Sequence, residues 1–369
     1  MLLKILITTG AMVGISGLLA LLLLIAEHFL ANYGECTLSI NNEKQVHVQG
    51  GTSLLAALNS QKIFLPSACG GRGTCAYCKC KILAGAGPLL PTEEPLLTPD
   101  EIRDSFRLSC QVKVKQDMQI AIPEELFNIR EFKTEVSLIK DLTYDIKLLR
   151  LNLIEPEEIT FKAGQYIQLI TKPYNGVKES VSRAYSIASP SYEKKYIDLM
   201  IRLVPEGICT TWVHQHLREK EIVNIVGPMG DFYLREGAGE IIMVAGASGM
   251  APIISLLEEI AARKIERNVT YFFGAVAKRD LFFTEEIAAL KKRLPNFQYI
   301  PTLSQSQPGD AWEGETGLIT QPLERYIKNH DTSQSQVYMC GSPGMINACI
   351  AVLNKNSIQN ERIYYDPFA

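Results

Sequence analysis

The stretch CGGRGTCAYCKC, residues 69–80, places four cysteines and three glycines among twelve residues. Disulfides, zinc and an iron–sulfur cluster compete for it. The chain has nine cysteines: Cys36, Cys69, Cys75, Cys78, Cys80, Cys110, Cys209, Cys340 and Cys349. An odd number, with long cysteine-free stretches, does not read as a disulfide scaffold. Zinc normally takes two C-x-x-C-like pairs. Here Cys69, Cys75 and Cys78 share one loop, and Cys110 lies far off in the strand-like RLSCQVKV. That is close to the plant-type [2Fe–2S] pattern of C-x4-C-x2-C with a remote cysteine, although the first gap here is five residues. Glycines suit such a loop because they let backbone N–H groups turn towards sulfur, and those bonds tune the potential. The pattern favours a [2Fe–2S] centre on Cys69, Cys75, Cys78 and Cys110. Cys80 reads as a strand side chain, and Cys36 as structural.

Around the loop, residues 34–126 read as one small domain. CTLSINNEKQVHVQG alternates about Asn41-Asn42 as a β-hairpin does, and SLLAALNS is a short helix behind a Ser53 cap. Upstream, Ile5 to Ala26 carries no charge over 22 residues, enough to cross a bilayer as a helix. Signal peptides have shorter apolar runs and a small-residue cleavage site, which AEHFLANYGE does not offer. Residues 1–31 are therefore expected to be an uncleaved transmembrane anchor, and Gly10 and Gly14 form a G-x-x-x-G that admits a neighbouring helix. Lys4 and Glu27 say little about orientation. With 369 residues, 47% hydrophobic and 21% charged at net charge −3, the chain has room for two or three domains. It shows no basic, aromatic-interleaved run, so no nucleic-acid partner is expected.

Residues 130–236 change character. FKTEVSLIKDL opens a strand reading that runs over 132–155, and ITFKAGQYIQLIT gives another over 159–171, the look of a small antiparallel barrel. Arg183-Ala184-Tyr185-Ser186 and then PEGICTTWVHQHL follow. A flavin needs a cation for its pyrophosphate, an aromatic against its ring or ribityl chain, and donors near N5. Arg183, Tyr185 and Ser186 offer these from one strand, and Gly207, Thr210 and Thr211 begin a helix whose N–H groups suit phosphate. Four letters alone are weak, since an Arg on a barrel rim is ordinarily a surface residue.

Residues 237–369 supply the support. IIMVAGASGMAPIISLL is a strand, a turn through Gly246, Ser248 and Gly249, and a helix starting near Pro252. VTYFFGAVAKRDLFFTEEIAALKKRL is a second strand and helix, and SQVYMCGSPGMINACIAVL a third, turning at Cys340, Gly341 and Pro343. Repeated strand–helix units build a parallel α/β sheet that takes ligands at the strands' carboxyl ends. Cys340 there would orient a nicotinamide, while Cys349 packs. Lys278 and Arg279 leave a 2′-phosphate, and hence NADPH, as an alternative to NADH.

The cysteine loop, RAYS, GICTT, GASGMAP, MCGSPGM and an aromatic C-terminus together resemble the ferredoxin–NADP reductase superfamily with a fused N-terminal ferredoxin. More narrowly, the chain resembles the family of F subunits of bacterial Na+-translocating NADH:quinone oxidoreductases, whose cluster loop has the same five-residue gap. PEELF and GDAWEGETGLI strengthen the likeness. It implies a transmembrane helix, a β-grasp ferredoxin domain, an antiparallel FAD barrel and a parallel α/β nucleotide domain. It also implies FAD, [2Fe–2S] and NADH, with electrons passing in the order NADH, FAD, cluster, membrane acceptor. Arg183, Tyr185, Ser186, Gly207 and Thr210 would hold FAD. Gly246, Ser248, Gly249, Pro252, Cys340, Gly341 and Pro343 would hold NADH, and Phe368 would cover the flavin. The catalytic domains would face the cytoplasm from the inner membrane, beside other membrane subunits. The chain departs from the family at KPYNGVKESVS, where a long insertion is missing, and at its YYDPFA ending. That ending is nearer to reductases that feed oxygenases or desaturases, which is the alternative function.

Overall fold

The computed structural model describes residues 9–10, 12–22, 33–123, 126 and 129–368. Two compact units emerge, Met1–Ser67 with Gly71–Phe127, and Ala68–Gly70 with Asn128–Ala369. Residues 12–22 are helical. No helix among the described residues is long and apolar enough to cross a membrane, and residues 5–8, 11 and 23–26 of the expected span lie outside them.

The first unit holds strands β1 (Glu35–Ile40), β2 (Lys44–Gln49), β3 (Lys79–Ala84), β4 (Phe106–Leu108) and β5 (Met118–Ala121), ordered β2-β1-β5-β3-β4. The β1–β5 pair is parallel and the other pairs are antiparallel. ECTLSI alternates, so Cys36, Leu38 and Ile40 are buried while their neighbours are not. Asn41 and Asn42 take φ of 52° and 58°, the left-handed region Asn tolerates and a tight hairpin requires. The helix Leu54–Ser60 starts where Ser53 Oγ accepts the Ala56 N–H at 3.2 Å. It buries Leu54, Leu55 and Leu58 in the sheet's core, a β-grasp arrangement.

The second unit begins with a six-stranded antiparallel sheet: β6 (Arg130–Asp141), β7 (Ile146–Glu155), β8 (Tyr166–Ile170), β9 (Ser182–Ser186), β10 (Tyr196–Arg202) and β11 (Ile222–Met229). The order is β10-β7-β6-β11-β8-β9, and an Ile187–Leu199 bridge nearly closes the ring. The single strand read over 132–155 is two. Thr143 Oγ1 accepts the N–H groups of Asp145 and Ile146, at 3.3 and 3.0 Å, and folds β7 back on β6.

A six-stranded parallel sheet follows, in the order β15-β14-β13-β12-β16-β17. Its strands are β12 (Ile241–Gly246), β13 (Val269–Ala275), β14 (Phe297–Leu303), β15 (Glu315–Thr316), β16 (Gln336–Gly341) and β17 (Ile363–Pro367). Both faces are covered, which is why IIMVA is apolar throughout: Ile241, Met243 and Ala245 join one core, Ile242 and Val244 the other. The first core also takes in Ile146, Leu148, Met200 and Phe232 of the barrel. The strand order reverses between β12 and β16, the place where open α/β sheets bind ligands.

Candidate functional site

The cysteine loop is shaped by residues with left-handed backbones: Gly71 and Gly73, at φ 85° and 75°, and Ala76, at 58°. A side chain at Gly73 would run into Gln111, whose Nε2 donates to Cys110 Sγ at 3.8 Å. The Cys78 thiol hydrogen-bonds Cys110, and that contact, with burial, pushes its pKa up. The structure thus brings Cys78 and Cys110 together. Cys69 is counted with the second compact unit and Cys75 with the first, and among the described residues no three His, Cys, Asp or Glu side chains are grouped as a site for a single metal ion. Four cysteines, three of them in a loop whose Gly71 and Gly73 take left-handed backbones, fit the donor chemistry of a [2Fe–2S] cluster. Cys80 lies in β3 and is buried. Gln111 was not foreseen; its only signal is its place next to Cys110.

On the barrel, β9 carries the whole RAYS stretch, paired to β8 with Leu169 opposite Arg183 and Tyr166 opposite Ser186. The Tyr185 hydroxyl shares a hydrogen bond with the thiol of Cys209, in the helix Ile208–Thr211. Burial raises both, the thiol to about 11. The helix Ile208–Thr211 starts at Gly207, as expected. Thr210 was expected at FAD, and its hydroxyl sits inside the preceding turn. It accepts the Val204 N–H at 3.2 Å and donates to the Gly207 carbonyl at 3.2 Å or the Val204 carbonyl at 3.3 Å. A rigid strand, a helix start and a buried serine are a donor set that fits FAD.

In the parallel sheet, Gly246 ends β12, Ala247–Gly249 form a single 3₁₀ turn, and the helix Met250–Ala262 follows, beginning two residues ahead of Pro252. A Cβ on Gly249 would fall on the Cys340 carbonyl. One on Gly246 would come within 3.0 Å of Met345 Sδ. The two glycine turns therefore pack backbone against backbone, which fits a nicotinamide nucleotide that needs close approach. Ser248 is buried, and Ser342 caps the helix Pro343–Lys355 by accepting the Met345 N–H at 3.3 Å.

Cys340 is fully buried, with Ala245 beside it on β12 and Asp366 beside it on β17. Burial, then the Asp366 charge, pushes its thiol well above the ordinary value. Ser186 Oγ reaches across from the barrel to Asp366 Oδ2 at 3.5 Å. Burial raises the Asp366 carboxyl to about 6, against the opposing hydrogen bond from Ser186. The Phe368 N–H donates to the Gly341 carbonyl at 2.9 Å, which ties the tail to the same turn. Asp366 was missed; a lone acid among the aromatics of YYDPF was its only mark. Lys278 and Arg279, the candidates for a 2′-phosphate, are engaged elsewhere. Lys278 Nζ donates to the Asp310 carbonyl at 2.6 Å, and Arg279 lies 5.0 Å over the Tyr144 ring.

Three family profiles fit this layout: a 2Fe-2S iron-sulfur cluster binding domain over residues 39–115, an oxidoreductase FAD-binding domain over 133–233, and an oxidoreductase NAD-binding domain over 243–350. The curated F subunit of the Na(+)-translocating NADH-quinone reductase of Pseudomonas aeruginosa is 36% identical over 389 positions, covering 95% of each chain. The chain belongs to the family of Na+-translocating NADH-quinone reductase F subunits. A Neisseria gonorrhoeae member is 34% identical over 95% of this chain and 96% of its own. Among solved structures, an Amycolatopsis cytochrome P450 reductase, GcoB, superposes at a TM-score of 0.72, with 24% identity, over 90% of this chain and 98% of its own. The ferredoxin reductase of a carbazole 1,9a-dioxygenase gives 0.68 at 22% identity, over 91% and 98%. These two share the fold. The family assignment makes the chain an NADH-dependent oxidoreductase using FAD and a [2Fe–2S] cluster, and does not favour the oxygenase-feeding alternative.

Proposed function

We propose that this chain is the NADH-input component of a sodium-translocating NADH:quinone reductase, anchored in the inner membrane by its N-terminal helix, with its cofactor domains in the cytoplasm beside other membrane subunits. The observation that carries the electron path is the meeting of Ser186, from the flavin barrel, with Asp366 and Cys340 at the carboxyl ends of the nucleotide sheet. When bound, FAD would supply hydride acceptance and one-electron release, and a [2Fe–2S] cluster would supply one-electron carriage. The chain's own contribution is placement. Arg183, Tyr185, Ser186, Gly207 and Thr211, with the Thr210 backbone, hold the flavin. Gly246, Ser248, Gly249, Pro252, Gly341 and Pro343 hold the nucleotide, and Cys340 orients the nicotinamide. Phe368 would cover the flavin ring when the nucleotide is away. Cys69, Cys75, Cys78 and Cys110 take the cluster. The domains run 34–126, 130–236 and 237–369 behind the anchor at 1–31.

NADH-driven reduction of a one-electron acceptor by wild type and Cys75→Ser tests the reading. The variant should still bleach its flavin with NADH and lose output to the acceptor. Wild type that shows no NADH-dependent bleaching sinks the proposal. Co-purification from detergent with other membrane subunits tests the complex.

A further inference from the structure

We propose that Glu93, acting through Arg107, is a positioning residue for the cluster ligands Cys78 and Cys110, an inference that rests on the [2Fe–2S] reading above. Glu93 is completely buried and Arg107 nearly so. Both Glu93 oxygens accept Arg107 Nε at 3.0 Å, and Oε2 also accepts Nη2 at 2.5 Å. Oε1 takes the Leu108 N–H at 2.8 Å, and Oε2 the Leu90 N–H at 3.1 Å. Arg107 spends its remaining reach on the carbonyls of Gly87 and Pro88, at 3.1 and 3.0 Å.

Burying two charges is costly, and a well-packed apolar pair of similar volume commonly stabilises a fold as well or better. Stability alone therefore does not explain the pair. Direction does. Strand β4 is only three residues long: Leu108 sits in the hydrophobic core with Phe106 packed against it, and between them Arg107 is held by directed bonds. The observed pairing is Lys79 with Leu108, Cys80 with Arg107 and Lys81 with Phe106. A slip of one residue would turn every side chain to the other face. Burial of Leu108 opposes such a slip, and Glu93 adds direction by holding both the Arg107 side chain and the next backbone N–H. The register runs straight into the cluster residues: the Ser109 N–H donates to the Cys78 carbonyl at 2.9 Å, and the Cys78 thiol meets Cys110. Glu93 touches no ligand. It sets the strand that places two of them.

The test uses the full-length, detergent-solubilised protein as Glu93→Gln and as the double variant Glu93→Leu with Arg107→Met, which fills the space without directed bonds. Three signals are read: the electron paramagnetic resonance spectrum of the chemically reduced cluster, iron loss to a chelator, and flavin bleaching by NADH. Both variants should bleach flavin at the wild-type rate. Their cluster spectra should broaden and shift, and iron should leave about tenfold faster, as when groups supporting metal ligands are removed. A wild-type spectrum and iron-release rate in the double variant overturns the proposal. Loss of fold in both variants also counts against it, since that would make the pair a matter of stability. Wild type lacking a cluster signal would instead sink the [2Fe–2S] reading on which it rests.

Discussion

Asp366 should make the flavin- and nucleotide-binding unit less stable above neutrality than in mild acid. Burial lifts its carboxyl from the ordinary 3.8 to about 6, with the Ser186 hydrogen bond pulling the other way. An acid whose folded pKa is raised holds its proton longer folded than unfolded. Its contribution is complete below about pH 3.8 and is lost as pH rises through about 6. A rise of about two pH units, at about 1.4 kcal/mol each, amounts to about 3 kcal/mol. The side chain keeps a little solvent contact, so water screening lowers this to about 2 kcal/mol. Asp366→Asn keeps the shape, removes the charge and still offers an oxygen to Ser186. Followed by flavin fluorescence during heating, the variant should melt about 4–8 °C above wild type at pH 8. The gap should close as pH falls towards 4. Equal melting at pH 8, or a gap that widens in acid, would refute the assignment of a buried, reluctant charge to this position.

Gly249→Ala should lower thermal stability by about 1–3 kcal/mol, because its Cβ would fall on the Cys340 carbonyl and neither backbone can yield cheaply. It should also weaken NADH binding in equilibrium titration, whereas Gly309→Ala, whose Cβ has open space, should do neither. Cys340→Ala should slow flavin reduction by NADH in stopped flow about tenfold or more while NADH affinity stays nearly constant, the mark of lost orientation rather than lost binding. Lys278→Ala should leave the preference for NADH over NADPH within about 0.5 kcal/mol of wild type, as for surface substitutions generally. Its ammonium is already committed to the Asp310 carbonyl.

What the sequence displayed plainly was whatever depends on near neighbours. Asn41-Asn42 announces a hairpin because two consecutive left-handed residues are rare without Asn or Gly. The uniform apolarity of IIMVA announces a strand covered on both faces, and the helix caps at Ser53 and Ser342 sit beside the turns they close. The bend at 142–145 was hidden because it has neither Gly nor Pro; a threonine side chain does the turning. Thr210 was expected among the FAD-binding residues, and its hydroxyl bonds to backbone atoms of residues 204 and 207. Residue type said that a hydroxyl was present but not which way it faced.

Asp366 and Glu93 were missed for a different reason. Asp366 meets a serine 180 positions away, and Glu93 meets an arginine 14 positions on across a loop without periodicity. Nothing local distinguishes either from a solvated acid. Their environments come from strand register: Cys340 with Asp366 in the last parallel pair, and Cys80 with Arg107 in a three-residue antiparallel one. In both places a short terminal strand carries residues at the chemistry, and a charged side chain lies beside a buried cysteine. Motif residues could be read because glycine turns and thiols advertise their chemistry in their spacing. The groups that aim them could not, because an aiming residue is defined by the strand it holds, and a sequence does not print which strands pair.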